Sequence, residues 1–129
     1  MLFAERVFRV AGIFGLAVLL PQYFMEERLG RDFPPPLNHP EHFYGFIGVA
    51  AAWQVAFLII ARDPARYRLM MIPGILEKLA FGLAAVVLYL QHRLAASVLA
   101  FGVLDLLWAA LFAWAFVKVG SPADSQPLG

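Results

Sequence analysis

The sequence predicts an all-α fold, an antiparallel bundle of four transmembrane helices with both termini in the cytoplasm. Three observations carry that prediction. Of its 129 residues, 62% are hydrophobic, and the mean hydropathy is +0.74. Ordinary soluble domains are roughly 45–50% apolar, and a soluble chain this short hides only about two-thirds of its surface, so lipid is the matching solvent. The apolar residues also gather into four runs, at about 8–25, 43–61, 70–90 and 94–117. Each approaches the ~20 residues with which a helix crosses about 30 Å of hydrocarbon. Finally, Lys and Arg are unevenly shared between the two sets of connections. Arg6, Arg9, Arg62, Arg66, Arg68 and Lys118 fall on one side, and Arg28, Arg31 and Arg93 on the other. The richer side is the cytoplasmic one.

The first run, "FRVAGIFGLAVLLPQYFM", has a basic start, with Arg6 just before it and Arg9 as its second residue. It has the outline of a signal peptide, but bulky residues occupy the place of a small-x-small cleavage site, so it is expected to stay as a helix. The external connection "EERLGRDFPPPLNHPEH" comes next, stiffened by the prolines at 34–36, which favour an extended polyproline form. Asn38 is the expected N-cap of the second helix, with Pro40 and Glu41 in its first turn. His39, Glu41 and His42 have the residue types of a metal site but poor spacing for one, and no metal is predicted. "ARDPARYR" is a short cytoplasmic turn whose Arg62, Arg66 and Arg68 suit anionic lipid headgroups. "QHR" is a tight turn that makes the third and fourth helices antiparallel neighbours. Residues 1–118 therefore form one membrane domain, and residues 119–129, with "GSPADSQPLG", are expected to be disordered.

Several function classes are excluded by composition. Net charge is +1, and no basic patch is interleaved with aromatics, so no nucleic-acid partner is implied. With no cysteine there is no disulfide, thiolate catalysis or Cys-based zinc site. Gly-rich phosphate loops, GxSxG and HExxH are missing. His39, His42 and His92 all lie in outer connections, so no histidine pair holds a haem across the bundle. Neither a cofactor nor a catalytic residue is assigned.

Polar residues at membrane depth are costly to insert and mark candidate sites. Asp105 lies mid-way along the fourth run, roughly 16–18 Å from either surface. Gln54, Glu77 and Lys78 lie nearer the cytoplasmic side, roughly 10 Å from that edge. Asp105 shares a helical stripe with Phe101, Trp108 and Phe112. Counting across the bilayer puts it level with Gln22, beside Pro21, and with the hydroxyls of Tyr23 or Tyr44. The candidate ligand-binding set is Asp105, Gln54, Glu77, Lys78, Gln22 and Trp108. The depths of Lys78 and Asp105 differ by roughly 8 Å and their side chains lean in opposite directions, so no direct pair is expected. Glu77 and Lys78, about 100° apart on their helix, are not expected to form a salt bridge on one face. They read either as a buried functional pair or as a helix start from which Lys78 snorkels to the headgroups. Asp105 reads either as interhelical glue or as a ligand or proton site.

In order, "NHPEHFYGFIGVAAAWQ", "ARDPARYR" and "PGILEKLAFG" resemble small bacterial four-helix membrane proteins of the DoxX-like kind over about residues 38–107. That resemblance implies an accessory role beside a membrane oxidoreductase. Small multidrug transporters share the size but keep an acid in the first helix, where this chain has none before Glu26 within the run. The EXPERA isomerase bundles place acids in several helices, as Asp105 and Glu77 do here. The expected function is an accessory subunit or a bundle that binds lipid or a small apolar ligand around Asp105. The alternative is a small transporter or EXPERA-like membrane enzyme using Asp105 with Glu77 or Lys78. Expected partners are membrane lipids and a membrane protein or second copy of the chain, and the expected location is the inner (plasma) membrane, crossed several times.

Overall fold

A computed structural model describes residues 1–34 and 38–120. It is helical, with no strand among the described residues. The helices are α1 (Leu2–Leu19), α2 (Glu26–Asp32), α3 (Pro40–Arg62), α4 (Met71–Leu90) and α5 (Ala96–Val119). Short 3-10 turns cover Leu20–Phe24 and Arg68–Met70. Three segments are long and apolar enough to cross a membrane: Pro40–Arg62, Arg68–Leu90 and Ala96–Val119. Large apolar side chains such as Val49, Leu76, Leu83, Leu107 and Val117 point outward from them, as lipid-facing residues do and core residues of a soluble fold do not.

The first helix departs most from the sequence reading. It begins at Leu2 rather than near residue 8, so Glu5, Arg6 and Arg9 are helical. Glu5 sits in the first turn, where the helix dipole favours a carboxylate. These three charges separate α1 from the three clear spans. Its apolar stretch ends at Pro21, which has no N–H to donate, and the chain tightens there into the 3-10 turn. The expected external connector contains a helix of its own, α2, which runs to Asp32. Residues 35–37, with two of the three prolines expected to stiffen it, lie outside the described residues. Of the tail expected at 119–129, Val119 closes α5, and residues 121–129 lie outside the description. His39, not Asn38, is the N-cap of α3, and Pro40 occupies the first turn as expected.

Helix α4 packs mainly on α5, and α3 mainly on α1, while α1 also touches α5. Small residues permit both close pairs. A Cβ on Gly82 would lie 2.6 Å from Leu106 and 3.0 Å from the carbonyl of Gly102, and a Cβ on Gly102 would collide with Ala85. A Cβ on Gly12 would meet Leu58 and the Gln54 carbonyl at 2.8 Å. In lipid the solvent is as apolar as the side chains, so close backbone approach and dispersion replace the hydrophobic effect as the source of cohesion. The four-residue spacing of Gly12 with Phe8, and of Phe57 with Ala61, puts small and large buried groups on facing sides of this contact.

Three fully buried phenylalanines join the two pairs. The ring of Phe8 stacks on Phe112 at 4.2 Å, and Phe57 meets Phe112 edge-on at 4.9 Å. Gly74 of α4 leaves room for Phe57, since a Cβ there would sit 3.0 Å from its ring.

The ends of the bundle are chemically distinct. Arg68 donates from Nε to the carbonyl oxygen of Phe116 at 3.0 Å and lies 3.6 Å from the centre of that ring. Lys118 lies 4.8 Å from the ring of Phe3 and 5.5 Å from that of Trp114. The start of α1, the α3–α4 connection and the end of α5 thus share one end. At the opposite end, Tyr44 donates to Glu26 at 2.7 Å and stacks with Tyr23.

A candidate polar site between helices α4 and α5

On α4 the apolar sequence presents two faces. Lys78, Gly82 and Ala85 recur at helical spacing and are all buried. This is the smaller face, and it packs against α5. The consequence is that Lys78 points into the bundle. Its side chain is only 6% exposed, and its Nζ lies 3.7 Å from Glu77 Oε2 and 3.7 Å from Asp105 Oδ1. The ammonium also sits 5.2 Å from the ring centre of Phe57 on α3, where the negative face of the ring attracts a cation.

Two sequence expectations are corrected here. Lys78 and Asp105 form an ion pair, although unequal depths and diverging side chains were expected to keep them apart. The reason lies in the register of α4 on α5. Gly82 meets Gly102 and Leu106, so α4 and α5 run antiparallel with position 78 opposite the turn that holds Asp105. Counting both residues from their shared turn at 91–95 reveals this, because Lys78 is twelve residues before Leu90 and Asp105 nine after Ala96. The difference is about 4–5 Å of rise, within reach of a lysine stem. The second correction concerns Glu77 and Lys78. Adjacent positions point about 100° apart, yet the flexible lysine brings its Nζ back to Oε2. Lys78 therefore does not snorkel to the headgroups.

The cluster is uneven in composition: two acidic side chains share one ammonium. Glu77 and Asp105 keep 18% and 22% of their side chains exposed, and Glu77 Oε2 is buried with no hydrogen-bond donor. That oxygen faces the Lys78 ammonium at 3.7 Å, too far for a hydrogen bond, so a closer donor would add to the ion pair it already has.

The remaining candidates lie elsewhere. Gln54 faces α1: its Nε2 donates to the Ala50 carbonyl at 2.9 Å, and its Oε1, directed at Gly15, has no donor. Gln22 was expected to serve Asp105 but donates to the Val18 carbonyl at 3.2 Å, one turn back on its own helix. Tyr23 and Tyr44 pair with each other, and Tyr44 is bonded to Glu26, so neither hydroxyl serves Asp105. Trp108 is half-buried and packs on Phe112 and Phe14. Of the expected headgroup arginines, Arg62 and Arg66 are exposed, and Arg68 is held by Phe116. His39 and His42 each lie within 4 Å of Glu41 at the surface, and among the described residues no group of three such side chains is placed to hold a metal ion.

The sequence reading missed the contact of Arg68 with Phe116 near the end of α5 and that of Lys118, in the last turn of α5, with Phe3 of α1. The signal for them was present, since cations favour the last turn of a helix, where carbonyls lack donors. No family model, curated protein or solved structure matches the chain.

Proposed function

We propose that the protein is a four-span integral membrane protein of the plasma membrane, with both termini cytoplasmic, that binds a small amphiphile at the Lys78–Glu77–Asp105 cluster. In this reading α1 and the turn after it complete the fourth span, with Glu5, Arg6 and Arg9 at the cytoplasmic headgroups. The six cations at the end shared by the two termini support that orientation. The observation that carries the function is the sharing of one buried ammonium by two acidic side chains, in which Glu77 Oε2 meets Lys78 as an ion pair at 3.7 Å but accepts no hydrogen bond. The complementary ligand has an apolar body and a cationic head. An accessory role, implied by the DoxX-like resemblance, uses the same cluster to receive such a group from a partner helix or a second copy.

Transport or catalysis is the second reading. It is favoured by the position of Lys78 at the seam between the two helix pairs, beside Phe57 of α3, where a parting of the pairs exposes the cluster. Thermal melting in a neutral detergent with octylamine, and with octanol as the uncharged control, tests the binding. Octylamine raises the midpoint of the wild type and leaves a Glu77→Gln/Asp105→Asn variant unmoved, while octanol moves neither protein. Equal shifts for wild type and variant contradict the assignment of the ligand to this cluster.

A further inference from the structure

We propose that the groove between α1 and α3 at the basic end of the bundle is a site for one anionic phospholipid, an inference that rests on the membrane reading above. The groove is a cleft of about 440 Å³ with Arg9 and Arg62 at its mouth and Ile13, Val55, Leu58 and Ile59 along its wall. Its polarity follows the helices. Arg9 and Arg62 mark the end nearest the α3–α4 connection, and from them Ile13 on α1 and Ile59 and Val55 on α3 lead inward. From Arg62 to Val55 the groove descends seven residues, or about 10 Å.

The groove therefore offers cations where a headgroup lies and an apolar channel where an acyl chain lies. Its floor is firm, since Leu58 closes against Gly12, where even a Cβ would lie 2.8 Å away. Both guanidiniums are exposed, and among the described residues neither makes an ion pair or a side-chain hydrogen bond. The carboxylates closest in sequence are Glu5, one turn before Arg9, and Asp63, whose Oδ1 accepts from the Arg66 backbone at 3.3 Å. Two unpaired arginines converging on an apolar channel complement a phosphate-bearing head, which Arg binds in fork geometry. The site differs from the headgroup set read in the sequence. Arg9 joins Arg62, while Arg68 is committed to Phe116 and Arg66 lies over Tyr67.

Native mass spectrometry of the full chain, released from bilayers of equal phosphatidylglycerol and phosphatidylcholine, tests this. At about 1 kcal/mol for each cation near an anionic surface, two arginines predict a preference of roughly thirtyfold for one retained phosphatidylglycerol. Arg9→Gln/Arg62→Gln loses that preference, and Arg66→Gln keeps it. No preference in the wild type, an unchanged preference in the double variant, or equal loss in Arg66→Gln overturns the site. Carbonate extraction of the same membranes reports on the membrane reading separately: protein that stays in the pellet but shows no lipid preference sinks the site alone, and protein released by carbonate sinks both.

Discussion

Lys78 is held between Glu77 and Asp105, and removing it leaves two partly buried carboxylates without their cation. Breaking a buried pair from one side costs about 3–5 kcal/mol. The residual exposure of both acids lowers this, so Lys78→Met is expected to lose about 2–4 kcal/mol in a denaturation series in detergent. Removing the charges together with the lysine, as in Glu77→Gln/Lys78→Met/Asp105→Asn, restores most of the loss. A triple variant as unstable as Lys78→Met shows that the lysine stem, not its charge, supplies the stability. The identities of these residues were legible in the sequence, because charges inside apolar runs are conspicuous. Their partnership was not. It depends on helix register, and depth counted from opposite membrane surfaces accumulates the error of two helix ends. Gln22 illustrates a second limit: its amide is satisfied by its own helix one turn back, a local bond that no comparison of depths across helices reveals.

At the scale of elements, the close α4–α5 contact sets that register. A side chain on Gly102 collides with Ala85, and both helices would have to separate to admit it. Gly102→Leu is expected to cost about 1–3 kcal/mol through overpacking and to pull Asp105 away from Lys78. Gly45 is the internal control: nothing lies within 4 Å of its added Cβ, so Gly45→Ala is neutral or gains up to ~1 kcal/mol from helix propensity. Equal losses for both, read as melting midpoints in one detergent, contradict the packing role of Gly102. The three long spans and the α4–α5 turn were readable because twenty apolar residues between turn signals admit few structures. The start of α1 and the whole of α2 were not, since hydropathy is blind to a charged helical turn. The four positions Glu26, Glu27, Arg28 and Arg31 read as a connector while forming a helix.

The whole molecule is two helix pairs joined by the Phe8–Phe57–Phe112 contact, with cations concentrated where the start of α1, the α3–α4 connection and the end of α5 meet. The polar cluster belongs to α4 and α5, both long and apolar enough to span, whereas the shared side of the two termini requires α1 and the turn after it to cross as well. The sequence predicted four spans from four apolar runs, and α1 is the weakest because Glu5, Arg6 and Arg9 occupy its first half. The absence of native cysteine makes this directly measurable, since each introduced thiol is the sole target of a membrane-impermeant maleimide. Single cysteines at Leu2, Glu27, Arg66 and His92 are labelled in intact cells. Four spans predict that Glu27→Cys and His92→Cys react from outside, while Leu2→Cys and Arg66→Cys react only after permeabilisation. Labelling of Leu2→Cys and Glu27→Cys from the same side contradicts the four-span bundle, and with it the cytoplasmic placement of both termini.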